Sequence, residues 1–578
     1  MLKIKKLIMC ILIPLCILGC LIYIEKNRIY TEYDSADEIF GDVYLAQYKN
    51  SLQKIVLYEH DEAGVYHAYI PEGMKEKMCF FACFPGEFLL NGEMLKSGDE
   101  ITGVTEGEPY CLQVLDWKKD VAAECEVVFY YIDSLPLVFI NTESGDMEYV
   151  DLDKMNEEQA QYVVCTQNGQ IDSAGSCMVK GRGNTSWNKK QKPYNIDLEE
   201  PEMILGMDKT DEWALLNNWG EDVPQLKNKI AYDVAGLMKL SYTPQCEFVN
   251  LYLNGKYNGL YLLSQRINAE DKVLLEFDSR YEEEPNHFAT ENQTMAIKEP
   301  QDITEKRLLE LREFVQEAEG AIYSESGRNE KTQKMYSEYI DIESWAKIYQ
   351  LQNFFVQWDV EFSSFYVYMS EKQPVLYAGP IWDFDLTCGR IYYGNYPQLT
   401  KHLLWLDTQG KWLKQLGKHE EFSEYSRKEF EESLLPVLEE YLSGEYWDVV
   451  ESIDKSVYVD AVRWSKEVDF DKHSEDLWNW MTDRHVFLSE YYLNPGGYCK
   501  VGFTFPWGSV YYHIEEGETL DFLPLNVYGE MNIYLESMGY SDILGWVDEN
   551  GNEVFAGEVI NDNVNYYPIL EEYFTPEI

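Results

Sequence analysis

The chain has no HExxH segment and no CxxC pair, and its eight histidines are scattered. A catalytic zinc needs clustered imidazoles and a structural zinc needs paired thiolates, so neither organises this protein. Nine cysteines follow the first thirty residues, an odd number at irregular spacing, mostly inside apolar runs. They read as packed thiols rather than a disulfide framework. Basic residues are scarce: 48 Lys and Arg stand against 102 Asp and Glu, a net charge of −54. That excludes nucleic acid as a partner, because phosphate binding needs an excess of cations. It suits a secreted or surface-exposed protein, and it suggests a basic, Ser-rich protein as substrate.

Long apolar runs are scarce too. The exception is the uncharged run over residues 7–24, preceded by Lys3, Lys5 and Lys6. Its 18 residues are just enough to span a bilayer. Gly19-Cys20 is compatible with lipoprotein-type processing, but the apolar run continues past Cys20, which favours an uncleaved anchor. The expectation is a single-pass membrane protein with its amino end inside and the bulk of the chain extracytoplasmic, at the cell surface.

Hydrophobic residues make up 45% of the chain and aromatic residues 15%, ample for several cores and rich for β-modules. Four segments are expected: an anchor at 1–30, a β-sandwich module at 31–135, a central domain at 136–495 and a C-terminal β-module at 496–578. Within the central domain, residues 203–240 read as helical. Asn254-Gly255 between two apolar runs predicts a hairpin, and residues 304–321 predict a helix. In the last segment, β-runs are expected at 501–505, 509–514, 532–535 and 543–547.

The chemistry concentrates in residues 351–390. Trp345, Ile348, Leu351 and Phe355 recur at helical spacing behind Asp341, a suitable N-cap. An acidic loop with Asp359 and Glu361 follows, then two β-runs, then Trp382-Asp383-Phe384-Asp385. If that last piece is extended, Asp383 and Asp385 project to one side, where a hard divalent cation relieves their repulsion. The competing reading has both carboxylates capping turns or pairing with Arg390. A second feature is an island at 180–196 with five basic residues and no acidic one, including Arg182 and Lys192. Its glycines allow close backbone approach to a polyphosphate; equally, it reads as a solvated hairpin.

Taken together, Lys180–Trp187 with Lys192-Pro193-Tyr194, Leu226–Lys229 with Ala231-Tyr232-Asp233, Gly259–Leu263 and Gly379–Asp385 resemble the CotH family, named for a spore coat protein. The resemblance covers about residues 136–495. It implies an α+β fold with a two-lobed, atypical protein-kinase-like core, and phosphorylation of Ser or Thr in surface or coat proteins using ATP and Mg²⁺ or Mn²⁺. By that resemblance Asp359 is the catalytic aspartate. Asp383 and Asp385 are the metal-binding pair. Lys192, Arg182 and Asn184 contact the nucleotide. Two positions depart from the family pattern: Ser364 stands where a metal-binding asparagine is expected, and Gln265 where a glutamate is common. Both departures point toward weaker metal or nucleotide binding. A catalytically degenerate, surface-binding protein and a DxD glycosyltransferase are the alternatives.

Overall fold

The run Leu137–Thr142 is apolar along nearly its whole length, and both of its faces are buried. Such a strand needs cover on two sides, and here it closes a barrel. It pairs antiparallel with Glu157–Cys165 and parallel with Cys246–Leu253. Ile171–Gly181, Tyr194–Glu202, Thr210–Leu216 and Lys256–Gln265 complete a closed, seven-stranded barrel. Its interior is lined by side chains such as Val138, Val179, Trp213, Leu251 and Tyr261. The Asn254-Gly255 turn takes positive φ at both residues (51° and 83°), as a tight hairpin demands.

This computed structural model describes residues 17–18, 36–59, 64–84, 86–116, 118–132, 135–217, 226–269, 272–370, 373–391, 394–395, 411–505, 508–524 and 540–572. The chain divides into two compact units. The first comprises Met1–Asn217, Glu247–Ser264 and Glu451–Val468; the second comprises Asn218–Cys246, Gln265–Val450 and Asp469–Ile578.

In the first unit, the segment before the barrel forms a six-stranded and a three-stranded sheet. In the larger sheet Val65–Pro71 runs parallel to Val121–Ile132. The core of these sheets is continuous with barrel residues Leu137, Phe139, Tyr252 and Tyr257.

The second unit carries a five-stranded sheet in which Val273–Phe277 lies between Thr294–Glu299 and Phe365–Ser370. Around it stand the helices Leu226–Leu237, Glu305–Tyr323, Ile342–Phe355 and Phe470–Leu493. The helix Glu305–Tyr323 starts on Thr304, whose side chain accepts from the Arg307 amide. A further five-stranded sheet ends the unit, with Tyr498–Phe505 parallel to Val564–Glu572. Phe503 and Trp546 centre its core, which extends onto Val356 and Trp358.

Residues 203–240 correct the helical expectation. Among the described residues of that range, Leu226–Leu237 is helix and Thr210–Leu216 is a barrel strand. The run Trp213-Ala214-Leu215-Leu216 is wholly buried, and a short apolar run in a barrel wall is not distinguished by periodicity from a buried helical turn. The fold is thus mixed α and β with several sheets and a closed barrel. Among the described residues no helix is long and apolar enough to cross a membrane. The run at 7–24, expected to do so, falls outside them apart from Ile17 and Leu18. The expected strand at 532–535 also lies outside the described residues.

Candidate functional site

The helix Ile342–Phe355 begins at Asp341, whose carboxylate accepts the Ser344 amide at 2.8 Å. It ends at Val356 in the left-handed region, φ 49°. That turn throws the chain into the loop carrying Asp359. The Asp359 carbonyl then accepts from the amides of Phe362 and Ser363, forming a tight turn. The turn closes on Ser364, whose amide donates to Glu276 Oε1 at 3.0 Å. Glu276 sits in the central strand of the sheet and pairs with Lys298 at 3.3 Å. Burial raises the Glu276 carboxyl above its usual range, and Lys298 opposes that rise.

The WDFD segment is not extended. Asp383 has φ 63°, so the two-residue alternation expected of a strand is broken there. Asp383 is exposed while Asp385 is buried, at 6%. This corrects the picture of two carboxylates on one face of a strand. Trp382, Phe384 and Leu386 are buried and fix the segment in the core.

Four side chains hold this turn, three of them from one helix. On Leu226–Leu237, Asn228 Oδ1 accepts the Phe384 amide at 2.7 Å. Tyr232, one turn further along the same face, accepts the Asp383 amide at 3.3 Å and stacks on Trp382 with ring centroids 5.8 Å apart. Lys227, buried at 8%, donates to the Asp385 carbonyl at 3.2 Å. The fourth is Gln357, which donates to the Asp383 carbonyl at 2.6 Å and accepts from the Asp359 amide at 3.4 Å. One carboxamide therefore links the Asp359 loop to the Asp383 turn. The strap is doubled by backbone bonds from Trp358 to Leu386 and from Cys388 to Phe355.

The group presented to solvent is the Asp383 carboxylate, with Ser364 Oγ 3.4 Å from its Oδ2. This is an all-oxygen donor set. Among the described residues no three His, Cys, Asp or Glu side chains converge as a metal cage. What fits is a hard cation that takes one or two carboxylates and completes its shell with phosphate oxygens and water, as Mg²⁺ does.

The other expected site residues lie on the first unit. Lys192 Nζ stands 4.1 Å from the centroid of the Trp187 ring and donates to the Trp187 carbonyl at 2.8 Å. Its backbone carbonyl accepts from the Tyr261 hydroxyl at 2.7 Å. Asn184 Oδ1 accepts from Lys154 Nζ at 3.1 Å. Arg182 follows Gly181, where a Cβ would run into the Trp187 ring, and precedes Gly183 at φ 82°. The two glycines are thus required by the loop's own packing. Lys180 pairs with Asp197 at 3.4 Å across the hairpin. Burial raises the nearby Asp151 carboxyl, while the Tyr194 hydroxyl bonded to it and the Lys192 charge pull it back down.

Lys192, Arg182 and Asn184 therefore belong to one unit, and Asp359, Asp383 and Asp385 to the other. Gln265, where a glutamate was expected, accepts the Gln245 amide at 3.0 Å and joins two strand ends. Sequence reasoning assigned no role to Lys227, Asn228, Tyr232 or Gln357. A signal was available for two of them, since Asn228 and Tyr232 are four apart on a helix and share a face. No curated protein matches this sequence. The family model described as CotH kinase protein matches residues 179–488, more than half of the 578-residue chain, and the protein belongs to that family.

Proposed function

We propose that this protein is a kinase that transfers the γ-phosphoryl group of ATP to a Ser or Thr hydroxyl of a surface or coat protein, using Mg²⁺. Membership in the CotH kinase family supports the reaction class. The observation that carries the site is Asp383, a solvent-facing carboxylate on a turn held by Asn228, Tyr232 and Gln357. Phosphoryl transfer is mostly positioning and electrostatics, so a rigidly aimed carboxylate is the part the protein must supply.

In this reading Asp383 and Asp385 would hold Mg²⁺. The ion, when bound, neutralises charge on the triphosphate. Asp359 accepts the proton of the attacking hydroxyl and orients it. Lys192, with Arg182 and Asn184, binds the phosphates from the barrel hairpin. Net charge of −54 favours a basic substrate region through long-range attraction. The charged-then-apolar start at residues 3–24 supports an anchor that keeps this chemistry outside the cytoplasm.

The test is incorporation of labelled phosphate from ATP with Mg²⁺ by the wild type and by Asp383→Asn. Incorporation is expected in the first and a loss of at least about 100-fold in the second. Asp383 is exposed, so its substitution leaves folding stability within about 0.5 kcal/mol. Equal incorporation by the two proteins removes Asp383 from the chemistry. Thermal stabilisation by a UDP-sugar in place of ATP replaces the kinase by a glycosyltransferase, and no shift with either nucleotide points to a degenerate binding protein.

A further inference from the structure

Glu361 is 1% exposed and sits two residues after Asp359, at φ 56°. A left-handed backbone is unfavourable for a glutamate and persists only where its surroundings enforce it. The enforcement is visible. The Glu361 carboxylate accepts three successive backbone amides at the start of the helix Trp412–Leu416: Lys411, Trp412 at 3.0 Å and Leu413 at 3.2 Å. The Glu361 carbonyl accepts from Gln293 Nε2 at 3.1 Å, and Lys411 Nζ donates back to Gln293 Oε1 at 3.2 Å.

The far end of this connection is fixed. Trp412 is wholly buried, stacks on Trp345 with centroids 5.7 Å apart and meets Phe277 edge-on. Its indole N–H donates to Glu319 at 3.0 Å. Glu319, also 1% exposed, accepts in addition from Thr290 and Asn292. A capping carboxylate is usually a near neighbour in sequence; Glu361 is fifty residues away from the amides it caps.

We propose that Glu361 is a positioning residue, a buried clamp that fixes the Asp359–Ser364 loop against the core through the Lys411–Leu413 amides. The catalytic consequence rests on the kinase reading above; the clamp itself does not. A carboxylate offers two acceptor oxygens to three amides, whereas a carboxamide or a carboxylic acid offers one good acceptor and turns a donor toward the Lys411 amide. The clamp is therefore sensitive to protons. Burial raises the Glu361 carboxyl to about 7, against the pull of the Leu413, Lys411 and Trp412 amides and the Lys411 charge. Among the described residues, Glu319 and Tyr323, both from the helix Glu305–Tyr323, also face this site. Burial and the two glutamates raise Tyr323 further, so it remains a neutral hydroxyl.

The experiment is hydrogen exchange of the Lys411, Trp412 and Leu413 amides in the full chain, read as protection factors from about pH 6 to about pH 8.5. It is paired with kcat and KM for ATP in the wild type and Glu361→Gln. The wild type is expected to lose protection about tenfold as pH falls through about 7. Glu361→Gln is expected to show the low-protection state at every pH, with kcat reduced about tenfold and KM for ATP unchanged. Protection that is indifferent both to pH and to the substitution overturns the clamp. Lost protection with kcat unchanged overturns the positioning role. Should Glu361→Gln fail to fold, the wild-type pH series decides alone. Protection that follows the carboxylate in a wild type that incorporates no phosphate upholds the clamp and ends the kinase reading.

Discussion

Asn228 and Phe384 lie 156 residues apart in sequence, yet the Asn228 side chain accepts the Phe384 amide at 2.7 Å. Phe384 is wholly buried and Asn228 is 3% exposed, so water cannot replace this bond. Asn228→Ala leaves a buried N–H unpaired at the centre of the WDFD turn. The expected cost is about 1–3 kcal/mol in urea unfolding. Phosphate incorporation should fall at least tenfold, because Asp383 is the neighbouring residue. Tyr232→Phe is the contrast: it loses the 3.3 Å bond from the Asp383 amide but keeps the stack on Trp382. Its expected cost is below about 1 kcal/mol. Equal effects of the two substitutions would show that the turn is not held in the way described.

Ser364 sits at φ 56°, with its hydroxyl 3.4 Å from the Asp383 carboxylate. A serine gains little in the left-handed region, whereas asparagine is enriched there. Ser364→Asn also offers a carbonyl oxygen, a better ligand for a hard cation than a hydroxyl. Two gains are expected together: a few tenths of a kcal/mol of stability, and a lower Mg²⁺ concentration for half-maximal phosphate incorporation, by several-fold. A magnesium titration of wild type and variant checks this. Loss of activity in Ser364→Asn would mean that the hydroxyl itself is used.

Much of this was legible because local patterns were strong. The Asn254-Gly255 hairpin, the Asp341 cap and the Thr304 helix start are local signals, and each is decided within a few residues. The chemistry-bearing stretch was legible as residue types, but its geometry was not. Whether Asp383 and Asp385 share a face depends on one φ angle, at Asp383, which no periodicity reports. Thr210–Leu216 was misread because a short, wholly apolar run carries no period of its own, and nothing local shows that it lies between Tyr194–Glu202 and Lys256–Gln265 in a barrel wall. Glu361 looked like one more loop carboxylate, since its partners begin at Lys411. Long-range partners of short polar side chains leave no local trace, and those partners are what position this site.

The C-terminal sheet has a consequence for the Asp359 loop. Its core includes Val356, and Trp358 packs against it, immediately before Asp359. Phe503, wholly buried, meets Trp546 with centroids 4.9 Å apart and Tyr566 at 5.3 Å. Phe503→Ala should cost about 3–5 kcal/mol of that sheet's stability. If the sheet is a support for the loop, kcat for phosphate incorporation falls with it, and tryptophan fluorescence reports the loosened core. Full activity in a variant whose C-terminal sheet has demonstrably melted would make the module independent of the site.

Asp460 offers a pH test on the first unit, next to the hairpin that carries Lys192. It is 1% exposed, and its Oδ1 accepts from Gln191 Nε2 and from the Leu260 amide, each at 2.8 Å. Its Oδ2 has no hydrogen-bond partner among the described residues. Burial raises the carboxyl from 3.8 to about 6, although Lys466, the Leu260 amide and Gln191 pull it down. The folded protein therefore holds a proton that the unfolded chain has released between those two values. Stability from this group is present below about pH 4, is lost as pH rises toward about 6, and is flat above it. Asp460→Asn cannot ionise, so its stability should not fall over that window on this account. The difference between variant and wild type in urea unfolding should move in the variant's favour by roughly 2–3 kcal/mol from pH 4 to pH 7. The replacement amide brings a donor to the place of Oδ2, and that offsets the gain by a constant amount at every pH. A difference that does not change with pH would show that Asp460 is charged in the folded state throughout that window.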